Sequence, residues 1–124
     1  MSDNKKILVA EDDKFLIKIY QTKLAKEGYD ISIASDGEET LTKLKADKPD
    51  LLILDLVMPK KNGFDVLDEM KADEALKGIP VIVLSNLGQE SDVERVMQAG
   101  AIDYIIKANF SIEEVMEKIN KHIA

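Results

Sequence analysis

The sequence predicts an α/β fold: a doubly wound, five-stranded parallel sheet of order 2-1-3-4-5, flanked by five helices. Three observations carry that prediction. Five short runs rich in β-branched and apolar residues alternate with five segments of helical periodicity. The runs begin 20 or more residues apart, room enough for the helical crossover that joins parallel neighbours. Three runs are continuously apolar, as strands covered on both faces are, whereas the second alternates with serine and the fifth follows Asp103. Placing those two at the edges, with right-handed crossovers, gives the strand order.

Taken in order, the first strand is Ile7-Leu8-Val9-Ala10. Leu16, Ile19, Tyr20 and Leu24 recur at helical spacing behind Asp13, which reads as the N-cap, and Gly28 stops that helix. The second run, Ile31-Ser32-Ile33-Ala34, leads to a short helix marked by Leu41 and Leu44 and closed off by Pro49. The third strand, Leu51-Leu52-Ile53-Leu54, precedes a helix marked by Phe64, Leu67 and Met70. Ala72 to Gly78 reads as a polar loop with a frayed helix end. Val81-Ile82-Val83-Leu84 is the fourth strand; Val93, Val96 and Met97 mark the next helix, with Ser91 and Glu94 in a capping-box pattern at its start. Tyr104-Ile105-Ile106 is the fifth strand. The last helix carries Ile112, Val115, Met116, Ile119 and Ile123 behind Ser111 and Glu114, a second capping box.

A chain of 124 residues is expected to form one domain, 1–124, and long enough to bury a core without disulfide or structural metal. It has no cysteine, which excludes a disulfide scaffold and a thiolate zinc site. Its net charge of −7 argues against a nucleic-acid-binding role and against an anionic membrane surface. Apolar runs such as Leu51–Leu54 are far too short to span a bilayer. Met1 to Lys6 lead straight into the first strand with no signal-peptide character, so a cytoplasmic location is expected.

Ligands of an open α/β sheet bind beyond the carboxyl ends of its strands. Glu11, Asp12 and Asp13 follow the first run, Asp55 the third, Ser85 the fourth and Lys107 the fifth. Each alone has an ordinary reading as a turn former, cap or solvated charge. Their convergence does not, because several carboxylates in one crevice repel. A hard divalent cation relieves that repulsion, and Mg2+ favours one or two carboxylates, waters and a phosphate oxygen. With Lys107 as a positive point charge and Ser85 as a hydroxyl donor, the set suits stabilisation of a phosphoryl group in transfer.

These residues resemble the receiver domain of a two-component response regulator, a chemotaxis-regulator-like, flavodoxin-like fold. The resemblance rests on Glu11-Asp12, on Asp55-Leu56-Val57-Met58-Pro59 through Gly63, and on Ser85, Tyr104 and Lys107. It implies that Asp55 is the phospho-acceptor for a phosphohistidine on a histidine kinase or phosphotransfer protein. It implies Mg2+ held by Asp12, Asp55 and the Val57 carbonyl, with Glu11 acting through water. Lys107 and Ser85 would contact the phosphoryl group, Ser85 and Tyr104 would act as the switch, and the face of the fourth helix, fifth strand and fifth helix would meet an effector. Such a protein is a switch and not a turnover enzyme.

Two positions depart from the family pattern: Ala108 stands where a cis-proline usually follows the lysine, and Asn86 where a small residue usually follows the switch hydroxyl. A cis bond before a non-proline residue costs about 2.5–4 kcal/mol, so a trans Lys107–Ala108 bond is expected. Val57 and Leu87 lack a polar group to position water, which implies slow self-hydrolysis. His122 reads as a helix C-terminal cation, and Met58 and Met70 as packing. A haloacid-dehalogenase-like phosphatase would place Asp-x-Asp after the first strand, and Glu11-Asp12-Asp13 does not supply it. A decayed, non-phosphorylated adaptor is opposed by the complete residue set, and a flavin-binding domain by the lack of a phosphate-cradling loop after the first strand.

Overall fold

The computed structural model describes residues 4–123; residues 1–3 of the N-terminal segment and Ala124 lie outside them. In chain order the elements are β1 (Lys6–Ala10), α1 (Lys14–Lys26), β2 (Asp30–Ala34), α2 (Gly37–Ala46), β3 (Leu51–Leu54), α3 (Gly63–Ala72), β4 (Val81–Ser85), α4 (Glu90–Gln98), β5 (Asp103–Ile106), a 3-10 turn (Lys107–Asn109) and α5 (Ile112–Ile123). All strand pairs are parallel and the order is β2-β1-β3-β4-β5, as the sequence predicts. Among the described residues no helix is long and apolar enough to cross a membrane.

The two-residue period of a strand divides the core into two layers. Leu8, Ala10, Leu52, Leu54, Val81 and Val83 face α2, α3 and α4, where Leu44, Val66, Met70 and Val96 meet them. Ile7, Val9, Leu51, Ile53, Ile82, Leu84 and Ile105 face α1 and α5, against Tyr20, Leu24, Val115 and Ile119. Every residue of β3 and β4 is buried, whereas the edge strands β2 and β5 alternate or lie half open. A slip of one residue in any central strand would exchange the two layers, so the pattern pins the register.

Helix ends follow local chemistry. The Asp13 carboxylate accepts from the N–H groups of Phe15 and Leu16 at 2.9 and 3.2 Å, and Gly28 takes φ +91° just beyond α1. Ser111 and Glu114 cap each other at the start of α5, at 3.1 and 2.9 Å. The Ser91–Glu94 box is not used. α4 begins one residue before Ser91, with Gln89 at the N-cap, and the Gln89 carbonyl accepts from Asp92 and Val93. Glu90 and Asp92 favour that earlier start by placing negative charge at the positive helix end. After α3, the segment expected to be a polar loop turns back on Asp73, whose side chain accepts from the Ala75 N–H at 2.9 Å, and it buries Leu76 in the core.

Candidate functional site

The carboxyl end of the sheet is set by backbone pairing that runs one step past the strands. The Glu11 N–H donates to the Ala34 carbonyl at 2.9 Å and the Asp55 N–H to the Ala10 carbonyl at 3.0 Å. The acids are therefore placed by sheet register, not by flexible loops. The loop after Asp55 is held just as closely. The Val57 N–H donates to Asp55 Oδ1 at 3.2 Å, and the Gly63 N–H to the Leu56 carbonyl at 2.9 Å. Only glycine fits at 63, because a Cβ there would lie 2.6 Å from the Asp55 carbonyl oxygen. Lys60 adopts a left-handed conformation, φ 67°, at the tip of this loop.

Glu11, Asp12 and Asp55 offer carboxylate oxygens that all lie within 4.8 Å of one another. Glu11 and Asp55 are buried and Asp12 is exposed. Lys107 Nζ lies 2.6 Å from Glu11 Oε1 and 3.0 Å from Asp55 Oδ2, with 12% of its side chain exposed. Glu11 Oε2 accepts from the Asp13 N–H at 3.2 Å. Burial raises the Glu11 carboxyl above its ordinary range, and the nearby Asp55 charge adds to this against the opposing Lys107 hydrogen bond. Burial acts to lower Lys107, but its bond to Glu11 and the charge of Asp55 outweigh it and hold the ammonium above its usual value. Beneath them the Tyr20 phenol is pushed up to about 12, chiefly by burial.

Three carboxyl groups share one ammonium, so the crevice holds more acid than Lys107 can offset. Clustered hard oxygen donors, with an exposed side at Asp12, fit a divalent cation of the Mg2+ or Mn2+ kind.

Ser85 ends β4, is fully buried, and lies in register with Ile106, the residue before Lys107. Its Oγ accepts from the Leu87 N–H at 3.4 Å. Tyr104 stands on the same face of the neighbouring strand, half-buried, and its hydroxyl donates to the Leu87 carbonyl. Ser85 and Tyr104 thus both engage the first turn of the β4–α4 connection. Val57 exposes its side chain, and Met58 and Met70 are packed in the core. His122 pairs with Asp103 across α5 and β5, Nε2 to Oδ2 at 2.9 Å. Among the described residues every peptide bond is trans, the Lys107–Ala108 bond included.

One contact was not read from sequence. Asn86 Oδ1 accepts from the Ala108 N–H at 3.1 Å, so the two departures from the family pattern meet in a single bond. The available signal was the missing proline itself, since residue 108 then has an N–H to donate.

Comparison with known proteins gives a consistent result. The family model described as the response regulator receiver domain matches residues 7–120. The alkaline phosphatase synthesis transcriptional regulatory protein PhoP of Bacillus subtilis (strain 168) is 37% identical over 116 residues, 94% of this chain and 47% of that protein. The chain thus spans about half the length of the curated relatives it matches. Among solved structures, the Mn2+-bound form of the response regulator Rcp1 is 29% identical with a TM-score of 0.83, covering 94% of this chain and 90% of that one. The phosphorylated cyanobacterial phytochrome response regulator RcpA is 36% identical with a TM-score of 0.82, covering 97% of this chain and 91% of that one. Members of this family act as signalling switches, not turnover enzymes, and bind a divalent metal at an acidic cluster. With its sheet order, its acidic cluster beside Lys107 and a family match across nearly its whole length, the chain belongs to the response regulator receiver domains.

Proposed function

We propose that this chain is a single receiver domain, 1–124, that takes a phosphoryl group from a histidine kinase or phosphotransfer protein onto Asp55. The observation that carries this reading is the Lys107 ammonium bonded to buried Glu11 and Asp55 beside exposed Asp12. Asp12, Asp55 and the Val57 carbonyl would hold Mg2+, with Glu11 acting through water. When bound, the metal neutralises charge on the incoming phosphoryl oxygens. The Asp55 carboxylate oxygen attacks phosphorus in line, the P–N bond breaks, and its electron pair returns to the imidazole. Lys107 turns its ammonium from the carboxylates to the phosphoryl oxygens.

The buried Ser85 hydroxyl then donates to the new phosphoryl group and draws the β4–α4 connection inward. Tyr104 is tied to that connection through the Leu87 carbonyl and moves with it. The bond from Ser85 to the phosphoryl group is made only in the phosphorylated state, which is what a population shift requires. The face of α4, β5 and α5 carries the change to a downstream effector. A cytoplasmic location fits a kinase partner of this kind.

Incubation with Mg2+ and acetyl phosphate, read by intact mass, tests the reading. The wild type should gain one phosphoryl group and Asp55→Asn none. Full labelling of Asp55→Asn at the wild-type rate would sink it.

A further inference from the structure

The backbone that carries Lys107 is lightly held. β5 ends at Ile106, and the 3-10 turn Lys107–Asn109 closes on a backbone hydrogen bond from the Phe110 N–H to the Lys107 carbonyl, at 3.5 Å. That length is at the outer limit of such bonds. The Ala108 N–H instead donates to Asn86 Oδ1 at 3.1 Å, across 22 residues. Asn86 is the first residue past β4 and Ala108 the second past β5, so the bond adds a rung where the parallel ladder between Ser85 and Ile106 stops.

We propose that Asn86 is a positioning residue for Lys107: its carboxamide pins the turn behind the lysine and so holds the ammonium on Asp55. The inference rests on the phosphotransfer reading above. A lysine stem is flexible, and its charge is well placed only if its Cα is. The ammonium reaches two oxygens at 2.6 and 3.0 Å, while the residue after it is anchored by one side-chain acceptor. Preorganised charge of this kind acts on the transfer step and not on metal capture. The device depends on an N–H at residue 108, which proline lacks.

The test is the rate of Asp55 labelling by saturating acetyl phosphate, with Mg2+ varied. Asn86→Ala should lower the maximal rate about fivefold, the equilibrium weight of one ordinary hydrogen bond. The Mg2+ concentration for half-maximal rate should not move. The Ala108 amide proton resonance should shift upfield, and Asn86→Asp, which keeps the acceptor oxygen, should restore it. In an Ala108→Pro background, where the donor is gone, Asn86→Ala should produce no further fall. An unchanged maximal rate in Asn86→Ala, or an equal fall with proline at 108, overturns the inference while the phosphotransfer reading stands. Failure of the wild type to label at all overturns that reading and this inference with it.

Discussion

Replacing Lys107 with methionine removes the ammonium but keeps an apolar stem of similar length. The side chains concerned are 12% exposed for Lys107, 3% for Glu11 and 8% for Asp55. Two buried carboxylates would then face each other and Asp12 with no cation. Removing one partner of a buried ion pair costs roughly 3–5 kcal/mol. Asp12 opens the cluster to water on one side, which places the expected loss near the low end, about 3 kcal/mol in chelator. For a domain of this size that is roughly 9–15 °C in melting temperature.

Mg2+ should recover much of the loss. It stabilises by RT ln(1 + [L]/Kd), about 1.4 kcal/mol at ten times Kd and about 2.7 at one hundred times. The variant lacks the competing ammonium, so its Kd should fall. The sign with pH follows as well. Burial, with the Asp55 charge, already raises the Glu11 carboxyl, and the opposing Lys107 hydrogen bond is gone in the variant. The metal-free folded state then binds more protons than the unfolded one, so its stability rises as pH falls from neutrality toward the carboxylate range. Urea unfolding of wild type and Lys107→Met, in chelator and in Mg2+, reads all of this. An identical deficit with and without Mg2+, or one below about 1 kcal/mol in chelator, would refute the account of the cluster.

Asp12→Asn should abolish the Mg2+ response in a melt and stabilise the metal-free protein by only a few tenths of a kcal/mol, because Asp12 is exposed. Ser85→Ala should leave Asp55 labelling largely intact but shrink the chemical-shift changes at Tyr104 on fluoroberyllate binding; equal changes in both proteins would remove the hydroxyl from the switch. Gly63→Ala should cost about 1–3 kcal/mol in urea unfolding and slow labelling, since its Cβ would press on the Asp55 carbonyl oxygen and the Leu56 Cα at 2.6 and 2.7 Å.

Much of the fold could be read from the chain because its strongest signals are periodic. β3 and β4 are apolar at every position because both of their faces are covered, and the polar residues of β2 and β5 mark them as edges. The acids and Lys107 could be placed because each lies within two residues of the end of an apolar run, and strand ends in this topology share one crevice. What escaped had no periodic signature. The start of α4 was misplaced because two capping patterns compete within a few residues, and the earlier one has no side-chain bond to announce it. Leu76 is the one large apolar side chain in a polar stretch, and the turn at Asp73 sends it inward. The bond from Ala108 to Asn86 joins two loops whose approach is fixed by the pairing of β4 with β5.

Lys107 meets Glu11 across 96 residues of chain and Asp55 across 52. On a ribosome adding about 5–20 residues each second, Asp55 emerges roughly 3–10 s before the lysine that neutralises it. In that interval β1 and β3 can pair, yet their acids repel with no ammonium between them. Docking of β5 on β4 relieves that repulsion, so β5 is drawn to the sheet by charge as well as by Ile105. A chain broken or stalled before β5 keeps the Asp55 carboxylate but lacks the ammonium bonded to it. On the phosphotransfer reading proposed above, competence to be phosphorylated thus arrives with β5, and a copy that lacks β5 stays silent.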